Sequence, residues 1–387
     1  MRVLLVQPLS RGGIAQYGHQ LGCALSDAGH QVILLAAPDY ELASRVSGAK
    51  TSPRFVPRLF PSTSMLQRFR ARPLRGLLIG LASIIDCHRL LNIAFALRPT
   101  VIHVQGGHPM DLVYLLAARL AGRPLIYTAH NVVPHRPAPY HRLLHRLIYW
   151  LPHFTIVHTQ HGRKQLLNMF RLDQRRVRVI PMPLFELYDA RSSPPPASAR
   201  AALGLRADDE IVLFFGQIRP NKGLPALLRA IAQLRPSRPR LRLLITGEPL
   251  DGMKEVLSLI RELGLGASVK LHTNYVPLEQ VAAYFQAADV VALPYVRVTQ
   301  SAVLSLALAF NKPVVASRVG GLPELAERSA IASLVPPEDH AALAQAISAQ
   351  LDHPSTTINH WHGLRWPEAA ALTAALYAEA AGRDHQN

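Results

Sequence analysis

The sequence predicts an α/β protein of two doubly wound parallel-sheet domains that face one another across a cleft. Three observations carry this. The chain has 387 residues, too many for one ordinary core, since domains run to roughly 100–200 residues. Short runs of Val, Ile and Leu alternate with stretches of helical period, the pattern of strands covered on both faces by crossover helices. A proline- and serine-rich break, Arg191-Ser-Ser-Pro-Pro-Pro-Ala-Ser-Ala, interrupts the alternation, which then restarts.

In the first half, strands are expected at Val3–Gln7, Gln31–Ala37, Thr100–Gln105, Leu125–Thr128, Phe154–His158 and Val177–Pro181. Helices are expected at Ala15–Ala28, Asp111–Ala121, Tyr140–Trp150 and Gln160–Phe170, with Gly29-His30 as a turn. In the second half, strands fall at Ile211–Phe215, Arg240–Ile245, Val269–His272, Val290–Pro294 and Pro313–Ser317. Helices fall at Leu224–Leu234, Gly252–Leu263 and Ser301–Phe310. The last helix, Pro367–Ala381, has no strand after it, which leaves open a return to the first half. The division drawn from this is 1–187, 188–365 and a C-terminal helical segment 366–387.

Composition narrows the class. With 49% hydrophobic and 17% charged residues the chain buries sizeable cores and is not mainly disordered. Only Cys23 and Cys87 are cysteines, which excludes a disulfide framework and a cysteine metal cluster and suits a reducing, cytosolic compartment. The opening MRVLLVQPLSRGG does not read as a signal peptide, because its apolar run is short and Pro8 and Gly12-Gly13 follow. No run reaches the roughly 18 apolar residues of a membrane span; Leu77–Ile85 stops at Asp86. The expectation is a protein that is soluble, or bound to a surface without crossing it.

Charge is unevenly spread within the formal net of +17. Residues 1–190 hold 23 Lys/Arg against 8 Asp/Glu, and residues 191–387 hold 19 against 17. Between Leu42 and Ile85 there is no acid, while Arg68, Arg70, Arg72 and Arg75 alternate with apolar residues such as Leu66, Phe69 and Leu74. Basic charge interleaved with apolar side chains suits an anionic membrane surface. A nucleic-acid footprint or a plain solvated face would share the composition; the membrane reading is preferred, with no nucleic-acid partner.

Candidate site residues lie at strand exits, where ligands bind in such sheets. Gly12 and Gly13 stand between the first strand and its helix, where backbone N–H groups can approach an anion or make a plain turn. There is no G-x-G-x-x-G, and no acid closes the second strand before Asp39. In Phe214-Phe-Gly-Gln-Ile-Arg-Pro-Asn-Lys-Gly223, Arg219 and Lys222 lie in the turn after a strand, placed to neutralise a diphosphate. Thr299, Gln300 and Ser301 open a deeply apolar helix at Ala302, where they either cap it or help cradle phosphate oxygens. Val319-Gly-Gly-Leu-Pro-Glu324 is a second glycine-rich exit with Glu324 at a short helix. In the first half, His130-Asn131 follows a strand, and His103 and His108 flank Gly106-Gly107. No H-E-x-x-H, G-x-S-x-G or P-loop occurs, so no metal site is expected.

Together these residues resemble the retaining glycosyltransferases of the GT-B fold, in particular family 4. The resemblance runs over nearly the whole chain: Gly12-Gly13, Gly29-His30, His130-Asn131, Val179-Ile-Pro181, Phe215-Gly216, Lys222-Gly223, Ala288-Asp289, Pro294, Lys312-Pro313-Val314-Val315-Ala316 and Val319-Gly-Gly-Leu-Pro-Glu324. It implies two Rossmann-like domains, a nucleotide-sugar donor (UDP- or GDP-sugar) held mainly by the second, an acceptor held mainly by the first, and no metal or cofactor. By that resemblance Lys222, with Arg219, stabilises the leaving diphosphate, Gly12 and Gly13 approach the same phosphates, and His130 contacts the transferred sugar. The donor-binding set is completed by Gly216, Gln217, Thr299, Gln300, Ser301, Ala302 and Glu324. Two departures stand out. The family's glutamate pair would fall at Val298 and Leu306, and the arginine that usually follows the strand-exit glycine is Gln217. Thr299-Gln300-Ser301 is similar to the loop of a bacterial subgroup, which favours a divergent active enzyme.

The leading expectation is a hexosyl-type transferase of cell-envelope polysaccharide synthesis, peripheral on the inner face of the plasma membrane. It would act on a lipid-linked or cell-surface glycan acceptor, with Arg68, Arg70, Arg72, Arg75 and His108 docking acceptor or membrane. The alternatives are a non-catalytic transferase-like scaffold and, less supported, an epimerase on the same fold.

Overall fold

A computed structural model of the chain describes residues 1–46, 53–59, 72–107, 110–132, 139–188, 194–353 and 362–384. It divides into two compact units, Met1–Pro183 with Leu364–Asn387, and Leu184–Gly363. The division at 183/184 lies four residues ahead of the boundary drawn from sequence, and the second crossing, at 363/364, comes two residues ahead.

The first unit carries strands β1 (Arg2–Gln7), β2 (Gln31–Ala36), β3 (Arg54–Pro57), β4 (Val101–Gln105), β5 (Leu125–Thr128), β6 (Phe154–Val157) and β7 (Val177–Val179). They pair in parallel in the order β3-β2-β1-β4-β5-β6-β7. Its helices are α1 (Gly13–Asp27), α2 (Ala43–Val46), α3 (Arg72–Leu97), α4 (Asp111–Leu120), α5 (Pro139–Trp150) and α6 (Gln160–Phe170). One face of the sheet packs Leu4, Val6, Ile102 and Val104 against Leu90 and Ile93 of α3, Tyr114 of α4, Tyr149 of α5 and Leu166 of α6. The chain's last helix, Trp366–Asp384, packs on α1, with the Trp366 and Tyr17 rings 5.3 Å apart. Its Glu379 carboxylate pairs with Arg178 of β7 at 3.1 Å.

The second unit carries α7 (Pro196–Ala202), β8 (Glu210–Phe215), α8 (Leu224–Leu234), β9 (Leu241–Thr246), α9 (Met253–Glu262), β10 (Val269–His272) and α10 (Leu278–Ala287). It continues with β11 (Val290–Leu293), α11 (Ala302–Ala309), β12 (Val314–Ser317), α12 (Leu322–Ala326), β13 (Ala332–Val335) and α13 (His340–Asp352), and the helix at Trp366–Asp384 is α14. The strand order is β10-β9-β8-β11-β12-β13, again all parallel. Val212, Phe214, Ala292 and Val315 pack beneath α8, α9 and α13. Phe285 of α10 stacks on Phe310 at the end of α11.

Several elements depart from the sequence expectation. The proline-serine break is only partly a linker: Pro196 opens α7, at a position where a missing N–H costs nothing. The basic stretch contains the edge strand β3 and the first half of the long helix α3, whose exposed Leu81, Ile84 and Ile85 hid its amphipathic pattern. Among the described residues no helix is long and apolar enough to cross a membrane.

Two of the motifs turn out to serve the fold. Arg200 grips the Asp289 carboxylate through two contacts of 2.7 and 2.8 Å, and that carboxylate also accepts the Ile211 N–H at 2.8 Å. It thereby fastens α7, β8 and the start of β11 together. Lys312 donates to the carbonyls of Gln286 and Ala288 at the C-terminal end of α10, where the helix dipole favours a cation. Asp289→Ala should therefore cost about 2 kcal/mol, as expected for lost hydrogen bonds to a half-exposed charge. The check is the denaturation midpoint of the second unit; a midpoint equal to wild type would show that the Asp289 clamp contributes nothing.

Candidate functional site

β8 and β11 are neighbours at the point where strand order reverses, so the loops leaving their carboxyl ends flank a crevice. From β8 the chain runs through Gly216 and Arg219 into a tight turn, Pro220–Lys222, and Gly223 then opens α8. Gly223 has φ 70°, and a Cβ there would stand 1.7 Å from the Pro294 carbonyl oxygen. Only glycine lets the two loops touch backbone to backbone. Asn221 reinforces the contact: its carbonyl accepts the Val296 N–H at 3.0 Å, and its amide donates to Arg297 O at 3.1 Å.

Lys222 gains a fixed position from this. Its ammonium lies 3.7 Å from the centre of the Tyr295 ring, a side chain that is fully buried. A cation held against an aromatic face loses little by waiting there for an anion. The Tyr295 hydroxyl is 3.4 Å from Ser301 Oγ, and that oxygen accepts the Leu304 N–H at 3.2 Å. One ring therefore links Lys222 to the N-terminus of α11, where the helix dipole is positive.

The exit of β12 closes the third side. A Cβ on Gly320, φ 58°, would stand 1.7 Å from the Val298 carbonyl oxygen, and the Gly321 N–H donates to Thr299 O at 3.1 Å. Glu324 lies in the first turn of α12. The structure thus brings Gly216, Arg219, Lys222, Thr299, Gln300, Ser301 and Ala302 onto two facing exits, with Glu324 on the third. Gln217 is exposed and Arg219 half-buried. Ser301 spends its side chain on its own helix, so of the two readings of that residue the cap is the one realised. Leu306 is buried within α11, and Val298 contributes its carbonyl to the Gly320 contact, so neither position offers a carboxylate.

The first unit's glycine loop is differently engaged from the expectation. The Gly12 N–H donates to Glu41 Oε1 at 2.8 Å, Ser10 Oγ donates to Asp39 Oδ1 at 3.0 Å, and the Glu41 N–H donates to Ser10 O at 2.9 Å. The acids beyond β2 reach back and tie the loop, so an anion approaching Gly12 meets an amide that Glu41 already holds. Gly13 opens α1.

His130 also differs from the expectation of a ring offered to a sugar. It is 2% exposed, and both ring nitrogens are engaged inside the unit, Nε2 at 2.9 Å from Gln105 Oε1 and Nδ1 at 3.3 Å from His158 Nε2. The Tyr17 ring stands edge-on to both histidines at 4.9 and 4.8 Å. His103 lies between Tyr377 Oη and Thr128 Oγ1, each at 2.7 Å. Arg68, Arg70 and His108 lie outside the described residues, and Arg72 and Arg75 fall in the first turn of α3. Among the described residues no group of His, Cys, Asp and Glu could hold a metal ion. Tyr295, Asn221, Glu41 and Gln105 were not singled out from sequence; the nearest signal was that Tyr295 directly follows Pro294 at a strand exit.

Burial sets the charge state of the histidines. It pushes His103 down to about 3, with the neighbouring His158 adding to the effect. It pushes His158 down to about 4 against the opposing effect of the hydrogen bond that His158 donates to the Ile180 carbonyl, and His130 well below the ordinary histidine value, with His158 and His103 adding. The unfolded chain takes up protons below about pH 6.5, whereas the folded unit does not until near the lowered values. The first unit should accordingly keep full stability above 6.5 and lose about 1.4 kcal/mol per pH unit for each such imidazole as pH falls toward 4. Denaturant titrations at pH 7, 6 and 5 check this; a stability that is flat across that range would contradict three neutral buried imidazoles.

Comparisons with known proteins bear on the family and the fold. Residues 11–184 match the family model described as Glycosyltransferase Family 4, and residues 209–353 match that described as Glycosyl transferases group 1. The D-inositol 3-phosphate glycosyltransferase of Streptomyces scabiei is 31% identical over 296 residues, which is 70% of this chain and 66% of that protein. In the counterparts from Corynebacterium efficiens and Corynebacterium glutamicum the match spans 56% and 58% of the relative's length. Among solved structures, the fold is similar to sucrose-phosphate synthase from Thermosynechococcus elongatus, at TM-score 0.72 and 21% identity over 98% of both chains. It is also similar to Anabaena HepE in complex with UDP-glucose, at TM-score 0.71 and 19% identity over 100% of this chain and 98% of that one. With two parallel-sheet units of the GT-B type and both halves of the sequence matched, the chain belongs to family 4 of the glycosyltransferases.

Proposed function

We propose that the protein transfers a sugar, with retention of configuration, from a nucleotide-sugar donor whose diphosphate is held by the second unit. The observation that carries this is the Lys222 ammonium fixed over Tyr295 beside the N-terminus of α11. As the bond from sugar to phosphate breaks, negative charge grows on the departing nucleoside diphosphate. A fixed cation and a helix N-terminus stabilise that growing charge more than the bound ground state, which is what lowers a barrier. Arg219, from the same turn, supplies a second cation, and the exit at 299–302 faces the phosphates. UDP-glucose and UDP occur in the named complexes of similar structures, so a UDP-sugar is the first donor to try, with GDP-sugars next.

In this reading the acceptor is lipid-linked or a cell-surface glycan, and the protein works as a peripheral protein on the cytoplasmic face of the plasma membrane. The excess of basic charge in residues 1–190 supports it. So does α5, where Leu143, Leu147 and Trp150 form one exposed apolar stripe with the exposed Arg146 beside it. Such a face suits the headgroup region of an anionic bilayer. The relatives named for D-inositol 3-phosphate favour a second acceptor, a small anionic polyol phosphate, which the same basic charge would attract; inositol 3-phosphate therefore belongs in the acceptor assays.

A panel of UDP-, GDP- and ADP-sugars in a thermal-shift assay tests the donor. The correct one, at about 100 times its dissociation constant, should stabilise the protein by roughly 2.7 kcal/mol. Lys222→Ala should keep the fold and lower turnover by about 10²–10³-fold, the usual cost of removing one charge-stabilising group. A wild type that no nucleotide sugar stabilises would return the protein to the scaffold reading. For the membrane, vesicles rich in anionic lipid should bind the protein at low salt and release it near 1 M salt, where screening acts within about 3 Å. Leu143→Ser with Trp150→Ser should weaken that binding at least about tenfold; equal binding to neutral vesicles, or none to either, would remove the docking claim.

A further inference from the structure

The first unit has a crevice of its own. Its strand order reverses between β1 and β4, so the exits of those two strands flank the place where a doubly wound sheet takes a ligand. The β4 exit is Gly106-Gly107, and its surroundings demand both glycines. A Cβ on Gly106 would stand 2.2 Å from the Tyr127 hydroxyl oxygen. Gly107 has φ 116°, and a Cβ there would stand 2.7 Å from Ile14 Cδ1, on the helix that follows β1. Two glycines in series have more backbone freedom than any other pair, so an exit built from them holds no single shape unaided.

Asp111 supplies the restraint. One oxygen of its buried carboxylate, Oδ2, accepts the Gly107 N–H at 2.8 Å and the Tyr127 hydroxyl at 2.7 Å. Burial, with Asp111 beside it, pushes the Tyr127 hydroxyl well above its ordinary value, so it keeps its proton and is the donor. The Gly106 N–H goes to Thr128 O at 2.9 Å. The carboxylate sits in the first turn of α4, where the helix dipole favours it. Its support reaches the next exit as well. The Tyr127 ring stands edge-on to Tyr149, 6.0 Å between centres, and the Tyr149 hydroxyl donates to Val132 O at 2.8 Å, just past His130 and Asn131. A buried carboxylate adds little net stability compared with an apolar side chain of its size. What Asp111 adds is one fixed position for the exits of β4 and β5.

We propose that Asp111 is a positioning residue for the acceptor: by holding the Gly107 N–H and the Tyr127 hydroxyl on one oxygen, it fixes the wall of the first unit's crevice against which the acceptor rests. This rests on the function proposed above, in which the second unit holds the donor diphosphate and the first is left to the acceptor. Asp86 gives an internal control. It takes the Tyr114 hydroxyl at 2.8 Å, the same chemistry at the same depth, but that bond joins α3 to α4 and reaches no strand exit.

The experiment uses the full-length protein. In NMR, glycine labelled at both carbonyl carbon and nitrogen picks out the amides that follow another glycine, Gly13, Gly107 and Gly321, assigned from Gly13→Ala and Gly321→Ala. The wild-type Gly107 amide should be protected from solvent exchange, and in Asp111→Ala it should exchange at least about tenfold faster with Gly321 unchanged. The acceptor probes are D-inositol 3-phosphate and a polyprenyl-diphosphate-linked monosaccharide, with water as the competing acceptor. Asp111→Ala should raise the acceptor KM about tenfold, the scale of one hydrogen bond to a charged group, while the donor KM and the rate of donor hydrolysis by water stay at wild-type values. The milder Tyr127→Phe should move the acceptor KM in the same direction. Tyr114→Phe should lower the denaturation midpoint as Tyr127→Phe does and leave the acceptor KM alone. Rapid exchange of Gly107 in wild type overturns the proposal without any variant having to fold. An acceptor KM that stays put in folded Asp111→Ala and Tyr127→Phe, or that Tyr114→Phe raises equally, overturns it too, as does a donor KM that rises alongside. A wild type that hydrolyses the donor but uses neither probe removes the acceptor role alone. One that turns over no nucleotide sugar, even to water, fails the functional reading, and the Gly107 exchange still decides whether Asp111 holds the exit.

Discussion

Where β8 and β11 lie side by side, the chain leaves one strand for the face covered by α8 and the other for the face covered by α11. Two strand exits are left abreast with no crossover between them, and each ends at the start of a helix. Parallel pairing with helices on both faces makes this unavoidable, since each crossover keeps one hand and covering the second face requires the strand order to reverse. The contact of Gly223 with Pro294, the seat of Lys222 on Tyr295 and the cap at Ser301 all follow from that adjacency. The first unit repeats the arrangement at β1 and β4, with Gly12-Gly13 on one side and Gln105-Gly106-Gly107 on the other.

The two units use the same topology for different electrostatics. In the second unit the exits gather cations and a helix N-terminus, and no described carboxylate is hydrogen-bonded to Lys222. In the first, Asp39 and Glu41 reach the glycine loop, and β4 and the exits of β5 and β6 hold imidazoles that burial keeps neutral, joined by a series of hydrogen bonds. A buried charge unpaired in that series would be costly, and a neutral chain with each partner satisfied is the arrangement low dielectric favours. An anion is therefore better accommodated at the exits of the second unit.

Motif residues divide between chemistry and architecture in a way their order along the chain does not announce. Lys222 and Lys312 look alike in sequence, each preceding a small residue or proline near a strand. Lys222 rests on an aromatic face at an exit, while Lys312 is spent on the carbonyls that end α10. Asp289 likewise binds Arg200 and the start of β8.

The alternation of apolar runs with helical period, the break near residue 190 and the glycine-rich exits were enough to determine two parallel-sheet units and the loops that carry Lys222 and Ser301. Those features are local: buried strands need Val, Ile and Leu, and tight exits need glycine. Edge strand β3 and helix α3 escaped because basic residues and exposed Leu81, Ile84 and Ile85 blur the period on which such readings depend. The tertiary structure alone decided that Tyr295 seats Lys222, that Glu41 takes the Gly12 amide and that Tyr377 reaches His103. Each joins groups from different strand exits or from opposite ends of the chain, and such a meeting is fixed by sheet order and packing, which no local pattern of residues records.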